Sequence, residues 1–171
     1  MAVKHFDIPN HARFITYSCF NRLPLLGDPS IRDLYVAELQ KQSTRLEFDI
    51  IAYVVMPEHV HLIVVPQDGQ IEPVLRGLKQ GFARDTLKRM RDEGHPLMSE
   101  LVGVHGKPIF WQRGGGYDRN LRGGDDVREK VAYIHMNPVR RGLVENPTDW
   151  VWSSAQDYGG RVGVVGVRKS L

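Results

Sequence analysis

The chain has 171 residues, 42% of them hydrophobic and 25% charged, with a net charge of +3; these proportions exclude a disordered or fibrous polymer and suit one globular domain with its own core. A single cysteine, Cys19, excludes an internal disulfide and any zinc ribbon, and fits a reducing compartment. With no apolar run of bilayer length and no secretory h-region at the amino terminus, a cytoplasmic location without membrane contact is expected.

In chain order, residues 11–19 alternate Phe14, Thr16 and Ser18 with Ile15, Tyr17 and Cys19, which predicts a first strand. Residues 21–29 carry two prolines and a glycine and read as a loop. Ser30 can cap a helix over residues 30–46, with Ile31, Leu34, Tyr35 and Leu39 at helical spacing and Arg32, Asp33, Glu38 and Lys41 opposite.

Residues 48–55 and 59–65 are both rich in β-branched and aromatic residues and flank Pro57-Glu58, which predicts a β-hairpin. Within it, His59 and His61 are two apart, so a strand sends both imidazoles to one face, about 6 to 7 Å apart along the backbone. Val60, Leu62 and Val64 share the other face. The expectation is a core on one side and imidazoles at a surface on the other, where the pair can share one metal ion.

A second helix is predicted over residues 72–91. Val74, Leu75, Leu78 and Phe82 form its stripe, and Arg76, Lys79, Arg84, Lys88, Arg89 and Arg91 make the remainder basic, as either a solvated face or a phosphate contact. Residues 94–107 read as a loop and 109–113 as another strand. The stretch from Arg113 to Gly124 mixes glycine with arginine but does not match a phosphate-binding G-x-x-x-x-G-K-[ST] loop. Trp111 and Tyr117 can stack on unpaired bases or be ordinary strand-edge aromatics.

Asp125 or Asp126 can cap a helix over residues 127–137, with Val127, Val131 and Ile134 buried and Pro138 ending the pattern. Tyr133 and Asn137 are four apart, one turn above each other. If this helix packs beside the hairpin, Asn137 can join His59 and His61 as a third ligand while Tyr133 presents its phenol near the ion. Two imidazoles and one oxygen leave positions open for substrate, which suits Mg²⁺ or Mn²⁺ better than closed structural zinc. His135 projects about 200° around from Tyr133, at about 100° per residue, and is left out of the site.

The motifs Pro57-Glu58-His59-Val60-His61, Phe110-Trp111-Gln112-Arg113, Tyr133-Ile134-His135-Met136-Asn137-Pro138-Val139-Arg140-Arg141-Gly142-Leu143-Val144 and Trp150-Val151-Trp152-Ser153-Ser154 follow one another in the chain. In that order the chain resembles the single-tyrosine HUH transposases of bacterial insertion sequences, and among them the REP-associated tyrosine transposases. The resemblance implies an α+β, ferredoxin-like antiparallel sheet with helices packed on it. It also implies metal ligation by His59, His61 and Asn137 and a nucleophile at Tyr133. The implied reaction cleaves single-stranded DNA at palindromic hairpins through a 5′-phosphotyrosine intermediate, releasing a 3′-hydroxyl that can later rejoin or transfer the strand. Arg13, Lys79, Arg84, Trp111, Arg113, Tyr117, Arg119 and Arg122 are the DNA contacts expected in that reading. The expected domain covers residues 1–158, as a monomer in preference to a homodimer. The tail over residues 159–171 has no clear counterpart and can order on DNA, add an edge strand or pair chains. Two departures, Gly114-Gly115-Gly116 and Gly123-Gly124, loosen a region where a firmer strand and turn are expected. The competing functions are a non-catalytic hairpin-DNA-binding regulator and metal-dependent hydrolysis of RNA or another phosphodiester, which would use the histidines without the tyrosine.

Overall fold

The computed structural model describes residues 6–103, 106–114 and 116–169. Gly115 of the glycine run, residues 1–5 of the expected domain and the last two residues of the tail lie outside the described set. Four strands, β1 (Arg13–Ser18), β2 (Phe48–Val55), β3 (His59–Pro66) and β4 (Tyr117–Asn120), form one antiparallel sheet in the order β2-β3-β1-β4. Helix α1 (Pro29–Arg45) follows β1, α2 (Ile71–Asp92) follows β3, and α3 (Gly123–Arg140) follows β4. The β-α-β-β-α-β path with β1 and β3 central is the ferredoxin-like arrangement. A one-turn helix, α4 (Ala155–Tyr158), comes last. Among the described residues no helix is long and apolar enough to cross a membrane.

The sheet has a core on each face. Val60, Leu62 and Val64 of β3 join Ile15 and Tyr17 of β1 against Tyr35 and Leu39 of α1 and Val74, Leu78 and Phe82 of α2. Ile63 and Val65 instead join Phe14, Val54, Val127, Val131 and Ile134, so α3 covers the face that His59 and His61 share by alternation. The imidazoles are therefore not at a surface. Both histidines are 5% exposed. In β2 the register slips between Ile50 and Ala52, and this bulge turns both Ile51 and Ala52 toward the α3 side.

Several elements differ from expectation for local reasons. The cap of α1 is Asp28, whose carboxylate accepts from the Ser30 N–H, with Pro29 in the first turn where its missing N–H costs nothing. On that helix Leu34 is exposed and Arg32 is buried, donating to the carbonyls of Leu26 and Gly27 and lying 3.9 Å over the Trp152 ring. Residues 109–113 form no strand; an isolated bridge joins Trp111 to Cys19 just past β1, with the Gln112 N–H donating to the Ser18 carbonyl, while pairing with β1 passes to β4. The glycine run makes that strand possible, because Gly116 sits at φ 71° and a Cβ there would collide with the Thr16 carbonyl. Helix α3 starts at Gly123 and continues through Pro138 to Arg140, since a proline in the last turn forfeits only one backbone bond.

Two residues expected at DNA belong to the fold instead. Arg13, 1% exposed, donates to Asp118 through Nε and Nη2 and to Asp7 and the Phe6 carbonyl through Nη1, tying β1 to β4 and to the segment before β1. Trp111 is buried among Tyr17, Tyr35, Phe82 and Phe110, and its indole N–H donates to the Lys79 carbonyl. Neither presents a free group to a nucleic acid. The tail runs along the outer edge of the sheet: Val165 is buried, the Arg168 N–H donates to the Ile50 carbonyl and its guanidinium pairs with Asp49.

Candidate active site

β3 and β1 set the first part of the site by register. Thr16 stands directly opposite His61, and its Oγ1 lies 2.6 Å from His61 Nδ1. The turn before β3 places Glu58 Oε1 3.1 Å from His59 Nδ1. With each Nδ1 engaged, the two Nε2 atoms meet 3.0 Å apart. Partners on the rear nitrogens fix the ring orientation and leave the forward nitrogens for a ligand, an arrangement found behind metal-bound histidines.

Electrostatics favour neutral imidazoles. Burial is the main cause that lowers His59, opposed by the Glu58 carboxylate. Burial also brings His61 down to about 3, with the neighbouring His59 adding to it and a hydrogen bond to the Asn137 side chain opposing it. Both rings thus keep lone pairs at neutral pH. Burial pushes the Glu58 carboxyl up, but the Arg141 hydrogen bond and the charges of His59 and Arg141 outweigh it and hold the group below its ordinary value.

α3 completes the site. Tyr133 is 37% exposed and stands edge-on to His61, with ring centroids 5.4 Å apart, and edge-on to Phe14 at 6.0 Å. Phe14 stacks on His61 at 5.8 Å, so a row of aromatic rings links the phenol to the histidine pair. The Arg140 guanidinium lies 5.2 Å from the Tyr133 ring centre. One turn on, buried Asn137 donates from Nδ2 to the Tyr133 carbonyl, so its amide group lies in the same wall. Tyr133, Asn137, His59 and His61 line one cavity of about 450 Å³, together with Tyr117 and Arg141.

These donors fit a divalent ion. Cis ligands at about 2.1 Å from an octahedral ion stand about 3.0 Å apart, and the two Nε2 atoms, 3.0 Å apart and within hydrogen-bond reach of each other, can share one ion with little movement. Among the described residues no three His, Cys, Asp or Glu side chains gather at one point, so a third protein ligand must come from another group type, as the Asn137 amide would.

The other residues expected at DNA divide by face. Tyr117 lines the histidine cavity, and Arg113 lines a smaller pocket beside it with Gln112 and Gly116. Arg119 is paired with Asp126 at the start of α3, and Arg122, exposed, donates its backbone N–H to the same carboxylate. Lys79 and Arg84 are on α2, across the sheet from the histidines. There Lys79 is half-buried with its ammonium 5.2 Å from the Tyr17 ring centre, and Arg84 pairs with Asp85 at 2.7 Å. Their place on the far face takes both out of the site. His135, as expected, lies elsewhere: it bonds Ser154 Oγ at 2.9 Å and lines a separate cavity of about 680 Å³ with Ile51 and Tyr158.

Five residues of the site were not singled out by sequence: Phe14, Thr16, Glu58, Arg22 and Arg141. Arg141 had a signal, since 133, 137 and 141 are successive positions on one helical stripe. Glu58 had a weaker one beside His59. Thr16 and Phe14 owe their roles to strand register, and Arg22 to a turn, so nothing in their neighbours foretells them.

No protein-family model matches the chain. It is 31% identical over 153 residues to the REP-associated tyrosine transposase of Escherichia coli (strain K12), an alignment covering 88% of this chain and 80% of that protein. A putative REP-associated tyrosine transposase of Haemophilus influenzae is 28% identical over 109 residues, covering 63% and 58% respectively. The fold resembles a solved structure of the REP-associated tyrosine transposase bound to a REP hairpin, with a TM-score of 0.69 at 22% identity over 100% of this chain and 94% of that one.

Proposed function

The chain belongs to the REP-associated tyrosine transposases, and from that premise we propose that it cleaves and rejoins single-stranded DNA at hairpin repeats, with Tyr133 as nucleophile. The observation that carries the reading is the exposed Tyr133 phenol standing over His61 in the cavity where two neutral imidazoles converge. A binding protein has no use for that combination. The hairpin as partner follows from the relative solved with one.

In the proposed reaction Tyr133 Oη bonds to phosphorus as the bond from phosphorus to the 3′-oxygen breaks. The phenolic proton leaves to solvent, the 3′-oxygen takes up a proton, and the 5′-phosphate stays on the tyrosine. His59, His61 and Asn137 would hold Mg²⁺ or Mn²⁺, which supplies positive charge to the scissile phosphate. Glu58 and Thr16 keep both imidazoles aimed at one point, and Phe14 holds His61 in plane. Tyr117 offers an exposed face to an unpaired base, and Arg113 offers a cation to the backbone beside the cavity, while exposed Arg122 lies past the far end of β4. We place this activity in the cytoplasm, on a monomer, since Tyr133 reaches the histidine pair of its own chain.

The test is incubation of a labelled hairpin with single-stranded flanks in Mg²⁺ or Mn²⁺, followed by a denaturing gel. Wild type yields a covalent protein-DNA band that EDTA abolishes. Retention of the band by Tyr133→Phe would overturn the nucleophile. Hairpin binding indifferent to EDTA, with no cleavage at any metal concentration, would leave a binding regulator, and cleavage without a covalent band would leave a hydrolase.

A further inference from the structure

The mouth of the histidine cavity carries more positive charge than its packing requires. Glu58 brings a single carboxylate oxygen, Oε1, to three partners: Arg141 Nη1 at 2.5 Å, His59 Nδ1 at 3.1 Å and Arg22 Nη2 at 3.6 Å. One buried carboxylate thus faces two guanidinium groups. Glu58 is the only ion-pair partner that either arginine has among the described residues. One arginine would suffice to neutralise it.

Both arginines stay open to the cavity. Their side chains are 64% and 51% exposed for Arg22 and Arg141, and both line the space that holds Tyr133 and the histidine pair. A guanidinium has five donors in a planar fork suited to phosphate oxygens, and Glu58 Oε1 occupies few of them. Arg22 reaches this place through a costly backbone: Asn21 and Arg22 are consecutive left-handed residues at φ 49° and 55°, and neither is glycine. The turn is held by the Asn21 N–H donating to Gln112 Oε1, the Arg22 N–H to the Cys19 carbonyl and the Leu23 N–H to the Phe20 carbonyl. Such a conformation is retained where surrounding bonds enforce it, and here it delivers a cation to the reacting centre. Arg141 arrives from the other side as the residue that caps α3, two turns beyond Tyr133.

We propose that Arg22 and Arg141 form a two-armed clamp on the non-bridging oxygens of the phosphate that Tyr133 attacks, with buried Glu58 as the post that sets their spacing. The inference rests on the strand-transfer reading and adds the residues that hold the reacting phosphodiester. It uses charge in the chain itself, present before any metal binds.

The test couples each arm to a single phosphate. Hairpin DNAs carrying one neutral methylphosphonate at successive positions are bound in EDTA by wild type, Arg22→Ala, Arg141→Ala and Arg141→Lys, while the cleaved phosphate is located separately from the wild-type cleavage product. At the cleaved phosphate, neutralisation should weaken wild type roughly tenfold and either alanine variant only about threefold or less, since one of its two partners is already gone. Arg141→Lys should lie between, because it keeps the charge and loses the fork. Arg141→Ala also loses a hydrogen bond to buried Glu58 and should melt a few degrees lower, but a merely structural role would weaken binding of every DNA alike rather than couple to one phosphate. Equal losses in wild type and variants, or coupling confined to a different phosphate, overturn the clamp. Absence of cleavage in wild type would sink the tyrosine reading and the clamp's place at an attacked phosphate together, whereas cleavage without coupling sinks the clamp alone.

Discussion

Replacing Thr16 with valine removes one hydroxyl from the site and almost no volume. Thr16 Oγ1 is 2.6 Å from His61 Nδ1. When Nε2 of His61 faces a cation, the ring proton sits on Nδ1, and Thr16 is positioned to accept it. In Thr16→Val that buried N–H loses its acceptor, at a cost of about 1–3 kcal/mol, or about 5- to 150-fold in an equilibrium constant. Loss of a group behind a metal-bound histidine typically weakens metal binding about 10–100-fold, the same range. Without metal the ring can shift its proton to Nε2, where His59 Nε2 at 3.0 Å accepts it, so the metal-free protein escapes most of the penalty. The expected result is Mn²⁺ affinity, by calorimetric titration, reduced at least tenfold, with a thermal midpoint in EDTA near that of wild type and recovery in Thr16→Ser. Mn²⁺ binding within twofold of wild type would refute the reasoning.

Arg13→Met should cost about 3–5 kcal/mol by breaking a buried ion pair, lowering the thermal midpoint by roughly 10 °C; a full midpoint with weakened DNA binding would restore Arg13 to the interface. Arg84→Ala and Lys79→Ala, on the sheet's far face, should leave hairpin affinity and its salt dependence within about twofold of wild type, and a larger loss in a gel-shift titration would put DNA on that face. Burial of His135 lowers it to about 4, so between pH 6.5 and about 4 the unfolded chain binds a proton that the folded chain refuses. Stability should therefore fall as the pH falls across that window, by at most about 3.4 kcal/mol at ~1.36 kcal/mol per unit. Urea unfolding of His135→Gln should show a flatter slope there, and an unchanged slope would contradict the burial argument.

How much of this was legible in the sequence depends on whether the determining contact was local. The hairpin, the shared face of His59 and His61 and the stacking of Tyr133 above Asn137 are consequences of periods of 2 and 3.6, which a sequence displays directly. That α3 lies on the histidine face is not local. β2 and β3 are apolar on both sides, so alternation could not say that both faces are covered. The bulge at Ile51 hides in the same uniform run. β4 was missed because Asp118, Arg119 and Asn120 are poor strand formers; the strand is fixed by pairing with β1 and by the entry that Gly116 allows. Arg13 and Trp111 read as DNA contacts because charge and aromaticity suit DNA, and only burial beside Asp118 and Phe82 reveals their other use. Arg22 depends on a left-handed turn held through Asn21 by Gln112, 91 positions from that asparagine.

Mapping the covalent link by mass spectrometry tests the central claim most directly. Trypsin cuts after Lys130 and Arg140, releasing residues 131–140, a peptide with one tyrosine and no serine or threonine. After reaction with a hairpin substrate and nuclease trimming, this peptide should carry a nucleotide joined through its 5′-phosphate, with fragment ions placing it on Tyr133. A nucleotide on any other residue, or one joined through its 3′-end, would contradict the account.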